Sequence, residues 1–291
     1  MMTSQKKIKL AFFGTSHIAV FVLEALKRAG FMPELIVTVP EKKVGKTLES
    51  AASAAALWGE RHNIPVATDW NEFETGAWDV AIIVDYGKIL PSSLLTIPKK
   101  GFLNVHPSLL PRLRGASPMR SAILGDEKNT GVTIIHVDDK MDHGPIVAQK
   151  QVAVADWPVR NSELETLLMT EGGALLAGIL PLYIDDEITP QEQNHDVATY
   201  AAKFTKEDGL LDLSADTYQN LLKIRAFEGW PGTYTFFERA GKKIRVQVLD
   251  AHIEGNRLVL DKVKPEGKQE MQYADFARSG AKPLPPPASS V

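Results

Sequence analysis

The 291-residue sequence contains no cysteine. That excludes disulfides, thiolate-bound metals and a cysteine nucleophile, and it fits a reducing compartment. A long hydrophobic run is also missing from this reading. The N-terminal stretch MMTSQKKIKLAFFGTS places basic residues before only a short apolar segment, which ends at Gly14. A secretory signal needs a longer apolar region and a small-residue cleavage site. A membrane-crossing helix needs ~18 or more apolar residues. A cytoplasmic chain with no membrane partner is the expectation. Charge of one sign is scarce as well. The net charge of −3 argues against a general coating of nucleic acid. The balance is uneven, however, with 14 basic against 12 acidic residues from Ala201 onward and 19 against 24 before it. A mildly basic tail on an acidic body is compatible with a nucleic-acid partner.

Three motifs are absent where they would matter. The turn after the first strand reads GTSH, with only Gly14 of the G-x-G-x-x-G fingerprint. A dinucleotide is therefore disfavoured, and Gly14 reads as a tight strand-to-helix turn. PEKKVGKT, Pro40 to Thr47, ends like a phosphate-binding loop but has Pro40 where glycine is required. Proline has no N–H to donate and a fixed φ. What remains is a basic loop, Lys42, Lys43 and Lys46, at the carboxyl edge of a strand: a solvated connector or a contact to phosphate. No G-x-S-x-G elbow occurs, so a nucleophile would arrive with the substrate.

What is present points to an α/β protein. The length favours two domains. Ile8–Phe13, Leu35–Val39, Pro65–Ala67 and Val80–Val84 read as apolar strands. Helical spacing runs from Ile18 to a cap at Gly30, and an Ala-rich helix is predicted around Leu48–His62. Continuous apolar strands alternating with helices predict a mostly parallel sheet covered on both faces. Gly131–Val137 and Ile146–Val154 add strands, and Ser162–Leu182 is a long helix. The polar stretch after Tyr183 lacks periodicity and reads as a linker. This divides the chain into 1–186, a linker 187–206, and 207–291. In the last part Ser214–Arg225 reads as a helix capped by Ser214, followed by short strands that suggest a small antiparallel barrel.

The chemistry concentrates in NVHPSLLPRLRG, Asn104–Gly115. Ligands of open parallel sheets bind at the carboxyl ends of strands. Alternation puts Asn104 and His106 on one side of the strand that ends there, with Val105 pointing away. Asp142 in DDKMDHG is the third candidate, with Asp138 and Asp139 as competitors. Asn, His and Asp converging at a sheet edge suit attack on a carbonyl: an amide donor for the oxyanion, an imidazole beside it, and a carboxylate that orients the imidazole or takes a proton. Arg112 and Arg114 read either as anchors of the loop or as phosphate contacts.

NVHPSLLPRLRGASP, together with DYGKILP (Asp85–Pro91) and MDHGPI (Met141–Ile146), resembles the tetrahydrofolate-dependent formyltransferases. The resemblance implies a Rossmann-like catalytic domain with Asn104, His106 and Asp142 as its catalytic trio. It implies a folate site along Tyr86, Gly87, Lys88, Ile89 and Leu90, with Ser108, Leu109, Leu110 and Pro111 as its signature loop. The implied donor is 10-formyltetrahydrofolate, with no metal. TYAAKFTKEDGLLDL (Thr199–Leu213) and IRAFEGWPGTY (Ile224–Tyr234) are similar to the branch that formylates methionyl initiator tRNA, whose second domain is an open, OB-like barrel. That branch would use Lys42, Lys43 and Lys46 against the tRNA, although the loop here is short and lacks arginine. A monomer is the expectation. The alternative is a sugar-nucleotide N-formyltransferase, which shares the trio.

Overall fold

The apolar strands assemble into a seven-stranded sheet in the computed structural model, which describes residues 7–40, 42–44, 49–201 and 203–285. In chain order the elements are β1 (Leu10–Gly14), α1 (His17–Arg28), β2 (Leu35–Val37), β3 (Lys42–Val44), β4 (Glu49–Ala51), α2 (Ala54–Arg61), β5 (Val66–Ala67), α3 (Asn71–Glu74), β6 (Val80–Val84), α4 (Ser92–Leu95), β7 (Phe102–His106) and α5 (Pro118–Leu124). Then follow β8 (Thr130–His136), β9 (Ile146–Val152), α6 (Asn161–Ile184), α7 (Thr217–Ala226), β10 (Thr233–Arg239), β11 (Lys242–Glu254), β12 (Arg257–Pro265), β13 (Met271–Gln272), α8 (Tyr273–Ala277) and β14 (Lys282–Pro283). The large sheet has the order β5-β2-β1-β6-β7-β8-β9. Its first five strands are parallel, β8 pairs antiparallel with β7, and β9 pairs antiparallel with β8 and so points the same way as the first five.

Two compact units emerge, and neither is continuous in sequence. Among the described residues, the first comprises those within 7–115, 129–153 and 165–200, and the second those within 116–128, 154–164 and 201–285. The sequence suggests one division, at 187–206; in the structure 116–128 and 154–164 also group with the second unit.

In the first unit, Phe12, Ile82, Leu103 and Ile134 form one side of the sheet's core, and Phe13, Ala81 and Phe102 the other. α1 starts at Ser16, whose hydroxyl accepts from the Ile18 N–H, and stops just before Gly30 at φ 86°. Gly14 is a packing requirement: a Cβ there would lie 2.6 Å from the Phe12 ring and 2.8 Å from the Ala19 Cβ.

Two expectations shift. α2 starts after Ser53, later than Leu48, because Glu49–Ala51 pairs with Lys42–Val44 as an antiparallel hairpin. The Ala-rich pattern cannot distinguish those states, since periodicity is silent in so short a segment. Residues 41 and 45–47 of the stretch that ends like a phosphate-binding loop lie outside the described residues. The second shift concerns α6, which is long and apolar enough in composition to cross a membrane. Leu168, Met169, Leu176 and Leu180 are buried in the first unit's interior. Gly172 and Gly173 permit its close approach: added Cβ atoms would lie 2.6 Å from Val105 and 2.7 Å from Ala25. A helix apolar nearly all round is what a core position demands.

The second unit is built on a five-stranded antiparallel sheet, β13-β12-β11-β10-β14. Leu211, Ile224, Phe237, Val246, Val248, Val263 and Phe276 form its core. Its borrowed segments are held by specific bonds. The Asp126 carboxylate accepts from Trp157 Nε1 at 2.6 Å and from the Tyr218 hydroxyl at 2.8 Å. Arg160 pairs with Glu228 at 3.2 Å and with Asp250, and Arg225 also reaches Asp250 at 3.2 Å. α7 begins at Asp216, whose side chain accepts from the Gln219 N–H. The expected cap, Ser214, instead donates its hydroxyl to Asp212.

Candidate active site

β7 lies between a parallel and an antiparallel neighbour, and Asn104 is in register with Ile83 of β6 and Ile135 of β8. All three residues line one cavity of about 260 Å³, together with Lys88, Ile89, Leu90, Leu95, Val137 and the segment Asp138–Asp142. The cavity sits at the carboxyl end of the parallel strands, where helices and loops leave the sheet edge open.

Asn104, His106 and Asp142 meet there. Asn104 Nδ2 donates to Asp142 Oδ1 at 3.3 Å, and His106 Nδ1 lies 3.6 Å from the same oxygen. Asp142 Oδ2 accepts the Gly115 N–H at 2.7 Å. The other imidazole nitrogen, His106 Nε2, lies 3.0 Å from the Leu113 carbonyl oxygen. A carbonyl only accepts, so Nε2 carries a proton. Nδ1 is the nitrogen that faces Asp142. His106 is 4% exposed and is not among the cavity-lining residues, whereas Asn104 and Asp142 are. One amide proton of Asn104 is engaged by Asp142, which leaves the second for a ligand in the cavity.

The rivals of Asp142 have other roles. Asp138 holds His143 Nδ1 at 2.6 Å and accepts from the Lys140 N–H. Burial pushes the neighbouring His136 below the usual imidazole range, with Asp138 opposing. Asp138 and Asp139 line the cavity without reaching the Asn–His pair by any bond described. Among the described residues, no group of three or more His, Asp or Glu is arranged to hold a metal ion.

The segment Tyr86–Leu90 splits. Lys88, Ile89 and Leu90 line the cavity, and Ile89 is 86% exposed. Tyr86 is buried, its hydroxyl accepting from Trp70 Nε1 at 2.9 Å and its carbonyl from the Thr15 hydroxyl at 2.8 Å. Gly87 has φ 79° and provides the turn between them.

Ser108, Leu109, Leu110 and Pro111 are outside the cavity lining and brace the loop that follows β7. Ser108 Oγ donates to the Arg112 carbonyl at 2.6 Å, and the Leu110 N–H donates to the Thr133 hydroxyl. Leu109 packs by Gly131, and the Pro111 carbonyl accepts the Thr199 N–H. Arg114 resolves as an anchor: it is 2% exposed and bonded to Gln193 and His195. Lys46 lies outside the described residues, and for Lys42 and Lys43 only the backbone of β3 is described.

Several lining residues escaped the sequence reading. Ile83, Ile135 and Val137 were legible only as strand residues, and their role follows from register with Asn104 or proximity to it. Gln193 and His195 sat in a stretch read as linker. The repeated polar spacing there, Gln191, Gln193 and His195, was the available signal.

A formyl transferase family profile matches residues 6–176, and a formyl transferase C-terminal domain profile matches 203–258. A methionyl-tRNA formyltransferase of Chloroflexus aurantiacus is 38% identical over 249 residues, covering 82% of this chain and 79% of that protein. One of Thermus thermophilus is 33% identical, with 93% and 96% covered. Among solved structures, an N-formyltransferase from Helicobacter canadensis, in complex with folinic acid and dTDP-3-aminofucose, superposes with a TM-score of 0.62 at 18% identity, covering 87% and 98%. A methionyl-tRNA formyltransferase from Clostridium thermocellum gives 0.56 at 15%, covering 89% and 98%. The structural likenesses speak for the fold alone, and the sequence relatives carry the branch. Catalytic-domain and C-terminal profiles in order, and relatives spanning nearly the whole length, show that the chain belongs to the formyltransferase family, on its methionyl-tRNA formyltransferase branch.

Proposed function

We propose that this protein transfers the formyl group of 10-formyltetrahydrofolate to the α-amino group of methionyl initiator tRNA, in the cytoplasm. The observation that carries the chemistry is the meeting of Asn104, His106 and Asp142 on one carboxylate oxygen at the edge of a cavity. The amine lone pair attacks the formyl carbon, and the carbonyl electrons move onto oxygen. Asn104 donates its remaining amide N–H to that oxyanion. Asp142 takes the proton released from the amine, and Nδ1 of His106 shares it. The intermediate then collapses, expelling the folate nitrogen, which regains a proton. Lys88, Ile89 and Leu90 line the folate side of the cavity in this reading. Tyr86, Gly87 and the Ser108–Pro111 loop hold the shape of its walls.

The second unit supports a tRNA acceptor by its surface. On β10, Thr233, Thr235 and Phe237 are buried, so the alternate residues Tyr234 and Phe236 face away from the core. Val246 and Val248 are buried on β11, which places Arg245 and Gln247 on that same outer face. Arg245 stacks 3.9 Å from the centroid of the Tyr234 ring, and Lys243 3.9 Å from that of Phe236. Cations held over aromatic rings form an ordered strip suited to phosphates. Lys42, Lys43 and Lys46 are a second basic element in this proposal. Incubation with 10-formyltetrahydrofolate and either methionyl-tRNA or amino-sugar nucleotides tests the reading. Formylmethionyl-tRNA is the expected product; a formylated sugar instead overturns the acceptor assignment.

A further inference from the structure

The stretch from Gln191 to Thr199 behaves as a strap across the site and not as a connector. Gln191 exchanges two backbone hydrogen bonds with Ile146, at 2.7 and 2.8 Å. The Thr199 hydroxyl accepts from the Leu113 N–H, and its carbonyl from the Arg114 N–H, both at 2.9 Å. Between these two ends lies Gln193, 4% exposed. Its amide nitrogen has two protons and uses both, donating to the carbonyl oxygens of Asp142 at 2.9 Å and Gly144 at 2.8 Å. Its amide oxygen accepts Arg114 Nη2 at 2.7 Å and Nε at 3.2 Å. Arg114 only donates and the two carbonyls only accept, so a single orientation of the amide satisfies all four bonds. Arg114 Nη2 also donates to His195 Nδ1 at 2.8 Å, which places the proton of a neutral His195 on Nε2.

Asp142 needs such a hold. Its φ of 50° lies in the left-handed region, which costs a residue with a Cβ and persists when surrounding bonds fix it. The main chain of Asp142 is tied to Gln193, and Gln193 to the Arg114 side chain. The carboxylate of Asp142 is tied to the N–H of the next residue, Gly115. Backbone and side chain of one carboxylate residue thus converge on the single dipeptide Arg114–Gly115.

We infer that Gln193, locked by Arg114, is a positioning residue that sets the Asp142 carboxylate against Asn104 and His106. Neither profile-matched segment includes it, since position 193 lies between residue 176 and residue 203. The inference rests on the proposed role of Asp142, and the test separates the two.

Gln193→Glu is the sharper variant. It keeps an acceptor for Arg114 but replaces the donor to the Asp142 and Gly144 carbonyls by an oxygen that repels them. Gln193→Met is the second variant and removes both sets of bonds at nearly constant volume. The full-length protein is assayed in single turnover with 10-formyltetrahydrofolate and methionyl-tRNA, with binding of a folate analogue measured alongside. Gln193→Glu is expected to lower the single-turnover rate at least tenfold while the analogue's Kd changes less than threefold. In an Asp142→Ala background the same substitution should change the rate less than twofold, because residues acting through one another are not additive. If rate and analogue binding fall together in both variants, or if the Gln193 loss is undiminished without Asp142, Gln193 is only structural and the inference is overturned. If Asp142→Ala itself leaves the rate unchanged, the proposed chemistry fails instead, and a positioning role for Gln193 falls with it.

Discussion

Polar residues are used in opposite ways at the end of β7 and on the outer face of β10 and β11. At β7 they are withdrawn from water, and nearly every donor has a named acceptor. His106 is 4% exposed with Nε2 bonded to Leu113, and the Asp142 carboxylate is held by Asn104 and Gly115. On the sheet face Lys243 and Arg245 rest on aromatic rings. A buried polar group must find its partner or incur ~1–3 kcal/mol of lost solvation. Partners therefore fix geometry, and geometry is what a transition state requires. The exposed Lys243 and the half-buried Arg245 have no such constraint. Their contributions add singly, weaken with salt and suit a long anionic partner.

The largest expected effect breaks the buried side. His106→Ala should lower single-turnover formyl transfer by ~10²–10⁴, the usual worth of a proton-handling or electrostatic partner. Binding of a folate analogue should persist, because the cavity is lined by Asn104, Asp142 and Leu90 but not by His106. A rate within a few-fold of wild type would show that the buried cluster is scaffolding. Replacement of the sheet-face cations comes next. Lys243→Ala with Arg245→Ala should weaken methionyl-tRNA use by roughly tenfold and lower its log–log salt slope by about two, one per phosphate contact. Single-turnover rate at saturating tRNA should be unaltered. An unchanged slope would leave that face a solvated one and shift weight to the basic loop at Lys42.

The contrast also explains what could be read from sequence. Asn104 and His106 were legible as a pair because a period of two and a strand end place them together, whereas Asp142 was one of three candidate aspartates that only the family resemblance singled out. The parallel strands were legible because they are apolar throughout. The borrowed segments 116–128 and 154–164 were not, because their attachment depends on Asp126 meeting Trp157 and Tyr218, and Arg160 meeting Asp250. Such pairings between distant residues leave no periodic trace. The strap at Gln193 was hidden for the same reason: a polar, aperiodic stretch looks like a linker whether its side chains face water or a buried loop. The helix cap failed more narrowly. Ser214 and Asp216 are both good caps by residue type, and only the backbone decides between them.

That last choice gives the smallest effect and the cleanest control for the comparison, because it touches neither the buried cluster nor the cationic face. Asp216 accepts from the Gln219 N–H at 2.8 Å, satisfying one of the donors that α7 leaves open at its start. Its charge also faces the positive end of the helix dipole. Asp216→Ala should therefore cost ~1 kcal/mol, as the loss of such a cap usually does. Asp216→Asn, which keeps the acceptor, should recover most of it. Ser214→Ala should cost only a few tenths of a kcal/mol, the size of a typical change at an exposed position. Its hydroxyl donates to the Asp212 side chain and caps nothing. Urea unfolding followed by circular dichroism reads these differences as shifts in midpoint at constant slope. Single-turnover formyl transfer in all three variants should match wild type under native conditions. Equal costs at positions 214 and 216 would return the cap to Ser214. A slowed transfer in the folded Asp216→Ala protein would mean that the start of α7 and the chemistry at β7 are coupled, and that the two ways of using polar residues are not independent.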